Sequence, residues 1–163
     1  MILSANFDTI EYLQSGNERQ RKAYSTLTNH QILFSLKPFE PILVGTIPIN
    51  IDIESSDLDI ICCFTDEKIF ADAITNFFNH EKGFKIREQS STNPFSVVAN
   101  LIVDDFEVEI FGQNLPTKQQ LAYRHMLVEH KLLLKHGEKF RQQIIELKRQ
   151  GYKTEPAFGI ALG

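Results

Sequence analysis

Two aspartates separated by one residue are the most chemically suggestive feature of the sequence. Asp57 and Asp59 flank Leu58 at the start of an apolar run, and side chains two apart on a strand leave the same face with Cα atoms about 6.6 Å apart. At an effective dielectric constant of ~20, two unit charges ~7 Å apart repel by roughly 2 kcal/mol. A hard divalent cation, which prefers oxygen ligands, removes this cost. The pair is therefore a candidate site for one cation.

Further acids and a glycine-containing turn fit the same chemistry. Glu107 and Glu109 share one face of the predicted strand Phe106–Phe111. Gly45 and Thr46 form a predicted turn upstream, where the glycine backbone can approach a phosphate and the threonine hydroxyl or amide can hydrogen-bond to it. Phosphoryl and nucleotidyl transfer depends on positioning and charge neutralisation, which two metal ions about 3.5–4 Å apart provide. Together these residues indicate metal-dependent chemistry on a phosphate.

A structural interpretation of the same residues stays open. Aspartate pairs also cap loops at protein surfaces, and the two glutamates would then lie on a solvated strand face. Arg124 and Lys131 are seven residues apart and therefore share a helical face. From that face they would either meet a phosphate or remain solvated charges.

Hydrophobic periodicity and turn residues predict alternating helices and strands. Asn17 with Gln20 three residues later is typical of a helix N-terminus, and Pro38 ends that helix. Gly137 separates two predicted C-terminal helices. The segment 47–53 alternates isoleucines around a proline and fits a strand, a turn or a distorted helix. The predicted helices are Asn17–Leu36, Asp66–Phe78, Thr117–Gly137, Glu138–Gln150 and a weak one within Lys153–Gly163, and the predicted strands are Ile42–Val44, Leu58–Phe64, Phe84–Glu88, Phe95–Val103 and Phe106–Phe111.

These elements predict an α/β (α+β) fold, a mixed sheet flanked by helices with further helices at the C-terminus. The strands on either side of Asp104 and Asp105 are expected to pair as a hairpin. The helix after Asp66 carries one apolar stripe, which we expect to pack on the sheet. Its members are Ile69, Phe70, Ala73, Ile74, Phe77 and Phe78.

Length and composition indicate one globular domain over residues 1–163. Apolar residues make up 42% of the chain and charged residues 23%, which suffices for a core and excludes a disordered class. The net charge of −4 does not support nucleic-acid binding, although a local basic groove is compatible with it. No apolar run approaches the ~20 residues of a membrane span, and the adjacent Cys62 and Cys63 fit a reducing compartment. We expect a cytoplasmic protein with no membrane partner.

Short motifs across roughly residues 40–160 resemble nucleotidyltransferases. Val44-Gly45-Thr46, a spacer of ten residues and Asp57-Leu58-Asp59-Ile60, with a third acid on a later strand, resemble the signature of the DNA polymerase beta-like nucleotidyltransferase superfamily. More specifically, five stretches resemble an uncharacterised family of small bacterial nucleotidyltransferase-like proteins. They are Leu43-Val-Gly-Thr-Ile-Pro48, Ser56-Asp-Leu-Asp-Ile60, Glu109-Ile-Phe-Gly-Gln113, Tyr123-Arg-His-Met126 and Lys153-Thr-Glu-Pro-Ala-Phe158.

The resemblance implies a divalent-cation site for Mg²⁺ or Mn²⁺ and a nucleoside triphosphate substrate. Asp57 and Asp59 would hold metal on the nucleotide phosphates, and a third acid would complete the site that activates the acceptor. For the third acid we favour Glu109, which begins one of the matching stretches, and keep Glu107 in reserve. The remaining residues expected to bind the nucleotide are Gly45, Thr46, Ser56, Arg124 and Lys153.

The expected function is transfer of a nucleotidyl group from a nucleoside triphosphate to an unidentified acceptor, which is a small molecule, a protein or an RNA end. Thr46 replaces the superfamily's usual serine, and no acceptor domain is recognisable in the sequence. Both features favour a rival hypothesis, a catalytically degenerate member of the fold that binds nucleotide or a partner without turnover. A metal-dependent phosphohydrolase is the third hypothesis.

Overall fold

The computed structural model describes residues 6–163, and its elements follow the predicted alternation of helices and strands. Short 3-10 helices occupy Glu11–Ser15, Lys37–Phe39 and Thr117–Gln119. The α-helices are α1 (Glu18–Asn29), α2 (Ile32–Leu36), α3 (Glu67–Phe78), α4 (Leu121–Arg149) and α5 (Thr154–Leu162). The strands are β1 (Ile42–Val44), β2 (Leu58–Cys63), β3 (Lys82–Gln89), β4 (Ser96–Val103) and β5 (Phe106–Gln113).

The five strands form one mixed sheet in the order β1-β2-β5-β4-β3. β2 and β5 run parallel, whereas β1–β2, β5–β4 and β4–β3 are antiparallel pairs. The turn between β4 and β5 passes through Asp104, whose φ of 51° is left-handed. β3 forms one edge of the sheet and exposes Lys82, Lys85 and Arg87. The predicted mixed sheet and its β4–β5 hairpin are confirmed.

Side-chain alternation along the two parallel strands divides the interior into two cores. One face of the sheet carries buried residues that pack with α1, α2 and α3, and the opposite face packs with α4 and α5. Ile61 of β2 and the partly buried Phe111 of β5 point to the second face. The first face receives Leu58, Ile60 and Cys62 from β2 and Phe106, Val108 and Ile110 from β5.

The first predicted helix is interrupted in the structure. Asn17 forms the expected capping box with Gln20, in which each side chain accepts a hydrogen bond from the other's backbone N–H. The prediction of one helix as far as Leu36 was wrong, because Gln31 adopts a left-handed φ of 52° and ends α1 before α2 begins. Glutamine rarely takes this conformation, so the sequence contains no glycine or proline that marks the break.

The apolar stripe predicted for α3 is narrower than expected. Phe70, Ile74 and Phe78 are buried and form a row spaced by four residues along the helix. Ile69 and Phe77 are 63% and 43% exposed, so their prediction as core residues was wrong. A row with a spacing of four residues is enough to cover the underlying sheet, and the neighbouring row points to solvent.

One glycine and one loop shape the remainder of the chain. Gly137 has φ 85° and ψ −171°, which are not helical and kink α4, so the predicted break between two C-terminal helices is confirmed. The segment 47–53 forms turns instead of a strand, although Ile47, Ile49 and Ile51 are buried. Within residues 6–163, none of the helices combines the length and apolar character needed to cross a membrane.

Gly112 of β5 provides a test of this packing. A Cβ atom at this position would lie 2.5 Å from Cε2 of Phe70 and 3.1 Å from Cδ2 of Phe64. Because both rings are buried, we expect Gly112→Ala to lower the free energy of unfolding by about 1–3 kcal/mol through overpacking. Gly159→Ala in α5 is the matched control, since a Cβ there meets no atom within 4 Å and alanine favours the helix. Urea denaturation of both variants tests the α3–β5 contact, which would be refuted by equal stabilities.

Candidate active site

The parallel pairing of β2 and β5 brings acidic residues onto one face of the sheet. Asp59 is the register partner of Glu109, and Leu58 pairs with Val108 one step earlier. Because Leu58 and Val108 enter the first core, the acids on either side of them leave toward the opposite face. We call Asp57, Asp59, Glu107 and Glu109 the acid ladder.

Burial and mutual repulsion disfavour the ionised form of two ladder residues. Burial raises the pKa of Asp59 to about 7, the charges of Glu109 and Asp57 add to the rise, and Lys148 opposes it. The pKa of Asp57 is also raised, first by burial and then by the charge of Glu107, a hydrogen bond with Glu107 and the charge of Glu109. Asp59 and Glu109 are half-buried, whereas Asp57 and Glu107 are exposed. The ladder thus carries negative charge that nearby cations neutralise only in part.

The turn after β1 lies against the ladder. Val44 pairs with Asp59, and Gly45 follows with a left-handed φ of 92°. A Cβ atom on Gly45 would lie 2.8 Å from Oδ2 of Asp59. Glycine is therefore required twice, for its backbone conformation and for the close approach of the Asp59 carboxylate to the turn.

Thr46 and Ser56 connect this turn to the start of β2. The Thr46 hydroxyl donates a hydrogen bond to Oγ of Ser56 at 3.3 Å. The same Oγ accepts a hydrogen bond from the backbone N–H of Ile53 at 2.8 Å. The Ser56 carbonyl accepts a hydrogen bond from the Arg19 guanidinium at 2.5 Å, and this guanidinium lies 4.5 Å from the ring centre of Phe106. Ser56 is buried, so it holds the loop that carries the Gly45-Thr46 turn.

A cleft of about 920 Å³ opens beside the ladder. Gly45, Thr46, Asp59 and Glu109 line one side of this central cleft. The β3–β4 loop at residues 91–93, the first half of α4 and the start of α5 complete its walls. The wall residues that carry polar groups are Ser91, Thr92, Asn93, Gln119, Gln120, Arg124, His125, Glu129, Thr154 and Glu155.

The predicted site residues are distributed unevenly around this cleft. Asp59, Glu109, Gly45, Thr46 and Arg124 line it. Asp57 and Glu107 each lie two residues earlier in the chain than Asp59 and Glu109 and are not part of the cleft lining. Ser56 lies behind the Gly45-Thr46 turn, and Lys153 is exposed just before α5. The central cleft therefore receives Thr154 and Glu155 from the C-terminal segment in place of Lys153.

Two further charged residues of α4 belong to the same region. Glu129 lines the cleft, and burial raises its pKa to about 7, with Glu155 adding to the rise and Lys148 opposing it. Lys148 is 8% exposed, and its ammonium donates a hydrogen bond to the Ile51 carbonyl at 2.9 Å. The sequence contained one signal for Lys148, because it follows the buried Ile144 by four residues and so continues the apolar stripe of α4.

The wall opposite the ladder also contains a histidine–carboxylate pair. Nδ1 of His125 lies 3.2 Å from Oε1 of Glu155, and both side chains are largely exposed. His130 instead packs edge-on against Phe7, and His136 stacks on Phe140. The three histidines of α4 thus point to different surroundings.

The donor chemistry of the ladder fits a hard divalent cation. Its four carboxylates supply the oxygen ligands that Mg²⁺ and Mn²⁺ prefer, and the raised pKa values of Asp57 and Asp59 indicate excess negative charge. Within residues 6–163, no group of three or more His, Cys, Asp or Glu side chains already has the spacing to hold a metal ion. Holding a cation here would therefore require the carboxylate side chains to rotate.

Solved structures with a similar fold come from nucleotidyltransferases. The chain matches the Cid1 poly(U) polymerase with Mg 3'-dATP bound at a TM-score of 0.62 and 13% identity, covering 81% of this chain and 41% of that one. It matches a cytoplasmic RNA terminal U-transferase at 0.54 and 15% identity, covering 81% and 39%. The GLD-2/RNP-8 complex structure matches at 0.58 and 14% identity, covering 94% and 63%. At these identities the likeness confirms the predicted nucleotidyltransferase-like fold.

The sequence comparisons define the family. No curated protein sequence matches the chain, which spans less than two thirds of each of the three structural neighbours above. A family model described as a domain of unknown function, DUF4269, matches residues 25–163. That match includes β1 to β5, the acid ladder and the walls of the central cleft. The chain therefore belongs to the DUF4269 family and has a nucleotidyltransferase-like fold.

Proposed function

We propose that the protein is a metal-dependent nucleotidyltransferase, which moves a nucleotidyl group from a nucleoside triphosphate to an acceptor. The observation that carries this proposal is the register pairing of Asp59 with Glu109 beside the Gly45-Thr46 turn in one cleft. Nucleotidyl transfer requires carboxylates for metal and a close backbone approach for phosphate at the same place. The nucleotidyltransferase-like fold supports the proposal.

In this proposal the acid ladder holds the cation. Asp57, Asp59 and Glu109 are the ligands, and Glu107 is the alternative to Glu109. Bound Mg²⁺ or Mn²⁺ would supply charge neutralisation on the phosphates. The pairing of Asp59 with Glu109 supports this assignment, because it brings their backbones together at one step of the parallel ladder.

The remaining proposed residues orient the nucleotide. The Gly45 backbone approaches a phosphate, and Thr46 hydrogen-bonds to it. Arg124, exposed on the cleft wall, neutralises phosphate charge. Ser56 acts indirectly by accepting the Thr46 hydrogen bond. Lys153 contacts the nucleotide from outside the cleft lining.

The acceptor is a small molecule, a protein or an RNA end. The RNA terminal U-transferase and the poly(U) polymerase named above support an RNA end. The net charge of −4 does not support an RNA acceptor, because non-specific binding to nucleic acid depends mainly on basic residues that contact phosphates. Transfer to labelled oligoribonucleotides, purified proteins and small alcohols or amines distinguishes the three.

A nucleotide-binding protein without turnover is the second candidate function. It is favoured by two observations within the described residues: no three potential metal ligands are gathered at metal-binding spacing, and the Thr46 hydroxyl already bonds to Ser56. Incubation of the protein with Mn²⁺ and each labelled nucleoside triphosphate separates the candidates. Pyrophosphate release with labelled product supports the transferase, binding without release supports the second candidate, and release of inorganic phosphate indicates a phosphohydrolase.

Substitution of single carboxylates tests the metal assignment. A non-hydrolysable nucleoside triphosphate with Mn²⁺ at 100 times its Kd should stabilise the native protein by about 2.7 kcal/mol. We expect Asp57→Asn, Asp59→Asn and Glu109→Gln to lose most of this stabilisation, because each removes a ligand charge. Glu107→Gln should keep it, because Glu109 is the favoured third ligand, and Asp72→Asn at an exposed position of α3 is the control. Thermal melting with and without the ligand measures the effect. Loss in Glu107→Gln but not in Glu109→Gln would make Glu107 the third ligand, and a native-like shift in all four ladder variants would remove the ladder from the site.

The raised pKa of Asp59 predicts a pH-dependent stability in metal-free buffer. Its folded-state pKa of about 7 exceeds the ordinary value of 3.8, so native protein loses stability as the pH rises from about 4 to about 7. The asparagine of Asp59→Asn does not ionise. The melting temperature of this variant should therefore exceed that of the native protein only slightly near pH 4 and by the full amount above pH 7. Asp72→Asn, at an exposed position of α3, is the control. An Asp59→Asn variant that melts below the native protein at pH 8 would instead assign this carboxylate a structural role.

A further inference from the structure

Lys148 is a buried cation within an acidic region. It lies in the second half of α4 among the core residues Ile144 and Ile145 and is 8% exposed. Its one hydrogen bond within the described part of the chain goes to the backbone carbonyl of Ile51 at 2.9 Å. An ammonium group is costly to bury unless opposite charges stabilise it.

The opposite charges around Lys148 come from three different elements. Burial lowers its pKa to about 8, and the carboxylates of Asp52, Glu129 and Asp59 oppose this change. The residue that holds the ammonium, Ile51, donates its backbone N–H to the Thr46 carbonyl at 3.2 Å. Thr46 follows Gly45, the residue that the Asp59 carboxylate approaches closely, and Glu129 lines the cleft opposite. No carboxylate oxygen in residues 6–163 lies within the 4.0 Å of a direct ion pair with Lys148. Lys148 therefore acts on these acids through its field.

We propose that Lys148 is a positioning residue that serves as the internal counter-cation of the acid ladder. The inference rests on the proposed function, since it concerns the same metal site. The fixed ammonium partly neutralises Asp59 when no divalent cation is bound. It also repels an entering cation, so the affinity for metal is lower than the carboxylates alone would produce.

Arg19 acts on the opposite, exposed end of the ladder. Its guanidinium lowers the pKa of Asp57 against the larger effects of burial and Glu107. Arg19 is held by Ser56 and Phe106, whereas Lys148 is held by Ile51. The two cations therefore belong to separate packing environments, and Lys148 can be tested alone.

Three substitutions separate the charge of Lys148 from its hydrogen bond and its volume. Lys148→Met keeps the volume, Lys148→Gln keeps a donor for the Ile51 carbonyl, and both remove the charge. Lys148→Arg keeps the charge. Lys131→Met, at an exposed position of the same helix, changes the net charge equally and is the matched control.

Binding of Mn²⁺ to the full chain without nucleotide provides the readout. Electron paramagnetic resonance of free Mn²⁺ should show at least tenfold tighter binding by Lys148→Met and Lys148→Gln, because each removes a unit positive charge that repels the dication at an effective dielectric constant of ~20. Lys148→Arg and Lys131→Met should bind Mn²⁺ as the native protein does. A merely structural lysine cannot produce tighter binding, because loss of packing loosens the site.

The outcomes separate this inference from the proposed function. If native protein binds Mn²⁺ and folded neutral variants bind it equally or more weakly, the counter-cation role is wrong and the metal site stands. If the native protein binds no Mn²⁺, or if Asp59→Asn leaves its Mn²⁺ binding unchanged, the metal site and this inference both fail. Circular dichroism monitors folding, and failure of both neutral variants to fold while Lys148→Arg folds would assign Lys148 to the scaffold.

Discussion

In-register parallel pairing between β2 and β5 is the constraint on which the candidate site depends. It sets Asp59 against Glu109, and the alternation of each strand sends the intervening Leu58 and Val108 into the first core. A shift of one residue would exchange the faces and bury the carboxylates among α1, α2 and α3. Hydrophobic burial on one side of the sheet thus enforces the concentration of negative charge on the other.

Helix α4 packs on the same face of the sheet as this charge. Its first half contributes Arg124 and Glu129 to the cleft wall, and its second half buries Lys148, whose charge opposes the rise in the pKa of Asp59. Gly137 separates the halves with a left-handed φ of 85° and kinks the helix between them. The region is consequently balanced between carboxylates that repel each other and a few cations placed by packing. The divalent cation proposed above would neutralise the charge that remains.

Local signals in the sequence predicted much of the fold and part of the site. The Asp104-Asp105 turn, the cap at Asn17 and the break at Gly137 depend on neighbouring residues, and each was recognisable from the sequence. The left-handed Gln31 was not, because tertiary packing imposes a conformation that glutamine does not favour. Similarly, strand alternation predicted a shared face for Asp57 and Asp59, whereas the approach of Glu129 and Lys148 depends on how α4 docks. Spacing along one helix carries no information about the sheet on which that helix packs.

The two edges of the sheet differ in a way that affects self-association. β1 has only three residues, so it offers little backbone for another chain to pair with. β3 has eight residues and is the outer strand on the other side. Its side chains Lys82, Lys85 and Arg87 are exposed. Pairing with an added strand would bring these positive charges close to that strand, and lysine on an edge strand commonly prevents such pairing. The sheet is therefore closed to growth at both margins, and this protects the chain from aggregation through strand addition.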